Sequence, residues 1–380
     1  MTARTLLIGV ALAAAAGLAA PAFADDVKLP ATLAWSAYNT GTTGYNQSVA
    51  IGKALKDKYG ASLRVVPGKN DISRLIPLRN GQVQFVANGG ATYFAFEGIS
   101  DFAGKEWGPQ PLHMLMSASS DANLSVGTAK DANIRTVADL KGKRVAWVRG
   151  GDALNIGVEA VLAFAGLNWN DVKKVEFPGF GASWEGMTNG QVDAAFASTV
   201  SGTVKKLEAS PRGIFWPPLP HKDDAGWKRL LDVAPYFVKH TATIGAGVSK
   251  DNPHEGGAYP YPILITLAGQ EDALVYSMTK AINSQYANFK DAMPELKGWA
   301  LERQAFKWAV PYHKGAVRYW KEIGAWTADM DTHNNKLLKR QEVLAAAWAG
   351  VKNSKADGDA FKKEWGKVRA EALKKAGFIP

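Results

Sequence analysis

The residues best placed to do chemistry sit in short turns that follow apolar, β-prone runs. Thr42, Thr43 and Tyr45 follow the run Ala31–Trp35, and Asn70 and Asp71 follow Leu63–Val66. Asn88 follows Val83–Ala87, and Arg149, Gly151 and Asp152 follow Val145–Val148. Each of these turns opens onto a segment with helical apolar spacing. A helix start presents unpaired N–H groups and partial positive charge, so such corners suit a carboxylate. Asp71 and Asp152 are equally ordinary helix caps, and Thr42 or Thr43 can cap its own helix. The sequence leaves open whether the two aspartates meet a ligand or only cap.

Catalytic equipment is sparse. The six histidines stand at 113, 221, 240, 254, 313 and 333, and no two have the i, i+4 spacing of a helical zinc site. With no cysteine, disulfides, thiolate metal sites and cysteine nucleophiles are excluded. There is no G-x-S-x-G elbow, Walker loop or G-x-G-x-x-G fingerprint; Gly179-Phe180-Gly181 lacks the third glycine. The expectation is a binding protein and not an enzyme, with no metal and no cofactor.

The elements that must hold these turns repeat as strand, loop, helix, the signature of doubly wound α/β sheets. The strands expected are Ala31–Trp35, Leu63–Val66, Val83–Ala87, Leu112–Ser117, Leu124–Thr128, Val145–Val148, Val172–Phe177 and Val192–Ala197. Phe237–Gly247 reads as extended and Asp251–Pro262 as loop, and helices are expected over 271–290, 300–308, 314–324, 329–349 and 354–376. The length suggests two lobes. The expected division is 25–124 plus 236–345 for lobe one, 125–235 for lobe two, and a charged C-terminal helical extension over 346–380. A cleft between lobes joined by crossing strands can close by hinge motion.

Residues 1–24 read as a cleavable leader: Arg4, an apolar stretch Leu6–Ala20, and the A-x-A site Ala22-Phe23-Ala24. This places the mature chain in the periplasm, starting at Asp25. Removing Arg4 lowers the formal charge from +10 to +9. Much of the excess gathers in Lys362, Lys363, Lys367, Arg369, Lys374 and Lys375, which read as a solvated helix face, with an anionic membrane surface or acidic partner as the alternative. Nucleic acid is a poor explanation in an exported protein.

An ordered set of motifs resembles the TAXI-type solute-binding proteins of TRAP transporters. These are Thr40-Gly-Thr-Thr-Gly-Tyr45, Gly68–Leu75 with Leu78-Arg-Asn-Gly81, and Asp139-Leu-Lys-Gly-Lys-Arg-Val145. Ala165-Gly-Leu167, Gly190-Gln-Val-Asp-Ala-Ala-Phe196, Gly257-Ala-Tyr-Pro260 and Pro311–Gly324 follow in order. The resemblance implies a two-lobed periplasmic-binding-protein fold of type II kind, with a ligand cleft between the lobes and C-terminal helices. It implies capture of a small organic acid or amino-acid-like solute by hinge closure. The soluble receptor then docks at the inner membrane surface on a TRAP permease driven by an ion gradient. The alternative is a binding protein of an ABC importer or sensor system.

Carried over by motif, the ligand-binding candidates are Thr42, Thr43, Tyr45, Asn70, Asp71, Asn88, Arg149, Gly151, Asp152, Trp184 and Tyr259. Three turns depart from the family pattern. G-G-S stands here as Lys69-Asn70-Asp71, G-S-G-T as Gly151-Asp152-Ala153-Leu154, and G-T-Y-P as Gly257-Ala258-Tyr259-Pro260. Hydroxyls that resemble carboxylate donors are lost at all three, and two become carboxylates, which repel an anion. The expected ligand therefore carries a cationic or strongly hydrogen-bond-donating group facing Asp71 or Asp152. Trp35, Trp147 and Phe180 are further candidates for pocket walls. Arg74 and Arg149 are candidates to hold a carboxylate or to pair with a neighbouring aspartate.

Overall fold

A computed structural model describes residues 27–380, so the leader expected over 1–24 lies outside the described residues. Lobe one opens with β1 (Thr32–Tyr38), α1 (Thr43–Tyr59), β2 (Ser62–Gly68), α2 (Asp71–Arg79), β3 (Phe85–Asn88), α3 (Ala91–Glu97) and β4 (Leu112–Ser117). Lobe two holds β5 (Leu124–Ala129), β6 (Arg144–Val148), α4 (Asp152–Phe164), β7 (Lys173–Phe177), α5 (Phe180–Thr188), β8 (Ala194–Ser198), α6 (Gly202–Glu208), β9 (Ile214–Phe215) and α7 (Asp224–Val233). A ribbon, β10 (Val238–Ala242) with β11 (His254–Ala258), precedes β12 (Ile263–Leu267). Helices α8 (Asp272–Ser284), α9 (Tyr286–Phe289), α10 (Lys314–Glu322), α11 (Ala328–Val351) and α12 (Gly358–Lys375) finish the chain.

The two five-stranded sheets share one plan. Lobe one has the order β2-β1-β3-β12-β4 and lobe two β7-β6-β8-β5-β9. In each, three parallel strands form βα units, and a fourth strand runs antiparallel beside the third. That fourth strand is β12 in lobe one, which arrives after the whole of lobe two. The chain therefore crosses between lobes twice, over 118–123 and 259–262. The two crossings pair with each other: Tyr261 N–H donates to Ala118 O at 2.7 Å and Ala118 N–H to Pro262 O at 2.9 Å. This is the two-lobed α/β fold of periplasmic binding proteins, with a hinge of paired crossing segments.

The inner strands of each sheet are buried under helices and read as near-continuous apolar runs, while the edge strands β2 and β7 are largely exposed or half-buried. Trp35 and Phe85 are fully buried and meet edge to face at 6.2 Å in lobe one. In lobe two, Gly157 lets α4 lie directly on Phe196, whose ring would stand 2.6 Å from a Cβ placed there. A side chain at 157 would push the helix off its sheet.

Four local expectations change. The segment 251–262 contains a strand, β11, because Gly256 packs on Asn123 and His254, and Gly257 on Phe237 and Trp227, where larger residues do not fit. The ribbon packs on β5 of lobe two, with Leu219 N–H donating to Glu255 O at 2.9 Å, although the sequence division places 236 onward with lobe one. Residues 300–308 hold only one 3-10 turn, Leu301–Arg303, and no α-helix. Gln304 Oε1 accepts from Ser117 N–H at 2.9 Å and Ala305 N–H donates to Ser117 Oγ at 3.1 Å, and these side-chain bonds hold the segment irregular. Helix α7 is absent from the sequence reading. Asp223 caps it through Gly226 N–H at 2.8 Å, and Trp227 and Leu230 are its buried face.

The C-terminal extension is docked rather than wholly solvated. Phe361, Trp365 and Leu373 of α12 are buried, and Trp365 Nε1 donates to Gly98 O at 2.6 Å. Arg369 is also buried, while Lys363, Lys367, Lys374 and Lys375 face solvent. The basic run thus combines one structural arginine with a solvated lysine face.

Candidate functional site

The turn before α2 is built so that Asp71 is not a cap. Asn70 takes that role: its Oδ1 accepts from Ser73 N–H at 2.8 Å, while Ser73 Oγ accepts from Asn70 N–H at 3.1 Å. Asp71, one residue on and fully buried, aims its carboxylate across the interlobe seam. Oδ1 accepts from Tyr38 O–H at 2.5 Å and from the Arg74 guanidinium; Oδ2 accepts from Ala153 N–H at 2.8 Å. Ala153 lies in the first turn of α4, so a carboxylate of lobe one satisfies a helix start of lobe two. Burial, above all, raises the Tyr38 hydroxyl well above its ordinary value, which keeps it a donor.

Backbone bonds complete the seam. Asp71 N–H donates to Gly150 O at 2.9 Å, Phe180 N–H to Lys69 O at 2.9 Å, and Asn70 Nδ2 to Arg149 O at 2.9 Å. Gly150 makes its turn with φ of 68°, which a side chain would strain. Gly151 is the residue preceding α4, and Asp152 is the first helical residue. Asp152 Oδ2 accepts from Asp101 N–H of lobe one at 2.6 Å. Burial, then the neighbouring charges of Asp101 and Asp71, push its carboxyl up to about 8, so it is protonated at neutral pH.

Beside this seam lies a small, partly open cavity of about 30 Å³. Tyr38, Thr42, Thr43 and Arg74 line it from lobe one; Ala153, Leu154, Phe180 and Ser198 from lobe two; Tyr259 and Tyr261 belong to the second crossing. The Thr42 and Thr43 hydroxyls are buried with no protein partner. Thr42 precedes α1 without capping it, so its hydroxyl is not spent on its own helix. A larger recess of about 640 Å³ adjoins, sharing Leu124, Ser198, Tyr259 and Tyr261 and walled by Tyr236, Phe306, Trp308 and Met330. The Tyr236 hydroxyl is buried there without a partner. Such an arrangement, apolar walls with few polar groups between lobes, suits a small organic molecule.

The structure brings together part of the sequence-derived set. Thr42, Thr43 and Tyr259 line the cavity, while Asn70, Asp71, Gly151 and Asp152 form the seam beside it. Asn88 is fully buried at the end of β3, in register with Ile263, with both amide atoms unpartnered. Tyr45 is half-buried on α1 and lines neither cavity. Trp184 belongs to the lobe-two core, donating to Phe196 O at 3.2 Å and leaning on Trp216. Arg149 points to solvent and meets Glu176 at 3.3 Å. Trp35 and Trp147 are also outside the cavity, the latter against Trp169. Tyr38, Ser198, Ser201 and Tyr261 line it without having been selected. Ser198 ends β8 and Ser201 lies in the turn after it, just as Thr42–Thr43 follows β1, so the rule of turns after strands already contained this corner.

Among the described residues no group of three or more His, Asp or Glu is placed to hold a metal, and no helix is long and apolar enough to cross a membrane. Two α/β lobes stitched around a small cavity define a bilobal binding-protein architecture. Residues 37–324 match the NMT1-like family, and the chain belongs to that family. Among solved structures it is similar to the alkanesulfonate-binding protein SsuA from Xanthomonas axonopodis pv. citri bound to MOPS, at 15% identity over 84% of this chain and 93% of that one, with a TM-score of 0.41. It is also similar to the amino acid ABC transporter substrate-binding protein AbpA from Streptococcus pneumoniae bound to L-arginine, at 12% identity over 72% of this chain and 94% of that one, with a TM-score of 0.41. The fold assignment rests on the sheet orders and not on these distant likenesses.

Proposed function

We propose that this protein is a periplasmic solute receptor that closes its two lobes on one small organic molecule and presents the closed form to a membrane permease. The observation that carries this reading is the pair of buried Thr42 and Thr43 hydroxyls, without protein partners, in a small interlobe cavity that shares Leu124, Ser198, Tyr259 and Tyr261 with the recess of about 640 Å³. A buried hydroxyl left unbonded costs about 1–3 kcal/mol, so a solute that supplies the bond gains affinity and draws the lobes together. The ligand-binding residues in this reading are Thr42, Thr43 and Tyr259, together with Tyr38, Ser198 and Tyr261, which line the same cavity.

A TRAP permease as partner rests on the motif resemblance over Thr40–Tyr45 and Pro311–Gly324. The second reading keeps the same receptor and gives it an ABC importer as partner. A gene for a TRAP membrane subunit beside this one, against a gene for an ATPase, separates them. The binding test is calorimetry of the mature chain against organic acids, amino acids, amines and polyols. A true ligand raises the melting temperature by linkage, and Thr42→Val or Thr43→Val weakens it by about tenfold each. Valine variants that bind every ligand as tightly as wild type would remove the cavity from consideration.

A further inference from the structure

We infer that Asp71 is a built-in carboxylate that occupies the start of α4, latches the two lobes together without solute, and turns the site away from solutes that would bring their own carboxylate there. The selectivity half of this inference rests on the receptor reading above; the latch half does not.

The geometry separates what is fixed from what can part. Tyr38, Asp71 and Arg74 all belong to lobe one, and Arg74 Cζ stands 3.5 Å from the centre of the Tyr38 ring. Arg74 is as buried as Asp71 and balances its charge. When the lobes separate, the Asp71 carboxylate keeps both lobe-one partners and loses only Ala153 N–H. The bonds Asp71 N–H to Gly150 O, Phe180 N–H to Lys69 O, Asn70 Nδ2 to Arg149 O and Asp101 N–H to Asp152 Oδ2 part with it. The latch is therefore preorganised on one lobe and reversible on the other. It is a charge-assisted bond to a helix start, the kind of contact a bound anion makes.

The same geometry acts on solute choice. A second carboxylate at the start of α4 would lie within a few ångströms of Asp71 in a buried setting, where like charges repel strongly. Nor is Asp71 open to a cationic group, since both its oxygens are already engaged. What remains for a solute is the pair of threonine hydroxyls and the apolar walls from Leu154, Phe180 and Tyr259. The solute class this fits is uncharged at the seam end: an alcohol, amide or ketone group on an apolar body.

The test uses small-angle scattering and calorimetry on the mature protein. Without solute, wild type should be compact, and Ala153→Pro should have a larger radius of gyration. Proline is tolerated in the first helical turn but removes the N–H that Asp71 accepts, and it leaves the Asp71–Arg74 pair intact. Asp71→Asn should also loosen the lobes, and should bind succinate about tenfold or more tighter than wild type because Arg74 and the helix start are released. Circular dichroism melts establish that both variants fold, and Ala153→Pro carries the latch test if Asp71→Asn does not. An unchanged radius in Ala153→Pro overturns the latch. Succinate binding equally tight in wild type and Asp71→Asn overturns the selectivity. If no solute of any class binds wild type, the receptor reading fails while the scattering result still decides the latch.

Discussion

Two carboxylates in this protein are almost wholly removed from water and paired with arginine, yet they do different work. Glu97, at the end of α3, takes Arg340 at 2.6 and 2.9 Å and also Arg369. These partners come from α11 and α12, so the cluster fastens the C-terminal helices onto lobe one. Asp71 takes one arginine of its own lobe and one backbone N–H of the other. Glu97 sits where nothing has to move, and both of its oxygens are held by full charges. Asp71 sits where the two lobes meet, and its cross-lobe partner is the backbone N–H of a helix start. A buried ion pair within a lobe is scaffold; one that reaches across a hinge seam is a device for setting the open–closed balance.

The largest expected effect breaks the scaffold side. Glu97→Ala leaves two guanidinium groups buried without a carboxylate, which should cost about 3–5 kcal/mol. Urea denaturation should register it, and hydrogen exchange should rise first in α12. Asp71→Asn should cost less, about 1–3 kcal/mol, because the amide still accepts from Tyr38 and only one arginine loses its partner. Its exchange should rise at 70–72 and 150–153 rather than in the C-terminal helices. Equal losses with the same exchange pattern would erase the distinction between the two sites.

That distinction was only partly legible in the sequence. The sheets were readable because buried parallel strands are apolar runs ended by turns, as at Val145–Val148 before Gly150. Asp71 was readable as a departure in a helix-start turn, but its partner was not. Ala153 lies 82 residues away, and a backbone N–H gives no side-chain signature. Nor does sequence decide which residue caps α2, since Asn70 and Asp71 are both good caps and only the backbone chooses between them. Arg369 reads in the sequence with its lysine neighbours, as part of a solvated face. What set it apart was its place beside Phe361, Trp365 and Leu373 on the buried face of α12, a helical spacing that the dense charge obscured.

Asp152 sharpens the seam by pH. Its carboxyl is raised by burial first, then by Asp101 and Asp71. The folded protein therefore holds a proton that the unfolded chain has released above its ordinary value near 3.8. Stability from this group is fully present below that value and is lost as pH rises toward about 8. Asp152→Asn mimics the protonated form and keeps an acceptor for Asp101 N–H. It should match wild type near pH 4 and exceed it at pH 8 by roughly 1–2 kcal/mol, seen as a higher melting temperature. A wild-type advantage that grows toward pH 8 would mean the charged form is the one the seam favours.

The smallest expected effect tests how close a residue must be to the seam to matter. Arg149 adjoins Gly150 in sequence, and its carbonyl accepts from Asn70 Nδ2, but its side chain is 76% exposed and meets only Glu176 at 3.3 Å. An exposed pair of this kind contributes about 0–1 kcal/mol. Arg149→Ala keeps the backbone carbonyl and removes only the exposed arm. It should change stability by less than about 0.5 kcal/mol and leave solute affinity and lobe closure as they are. Calorimetry on the same solutes used for the threonine variants reads this directly. An affinity loss comparable to that of Thr42→Val would mean that the guanidinium swings from Glu176 into the cleft on binding, and would move Arg149 from the rim of the seam to its chemistry.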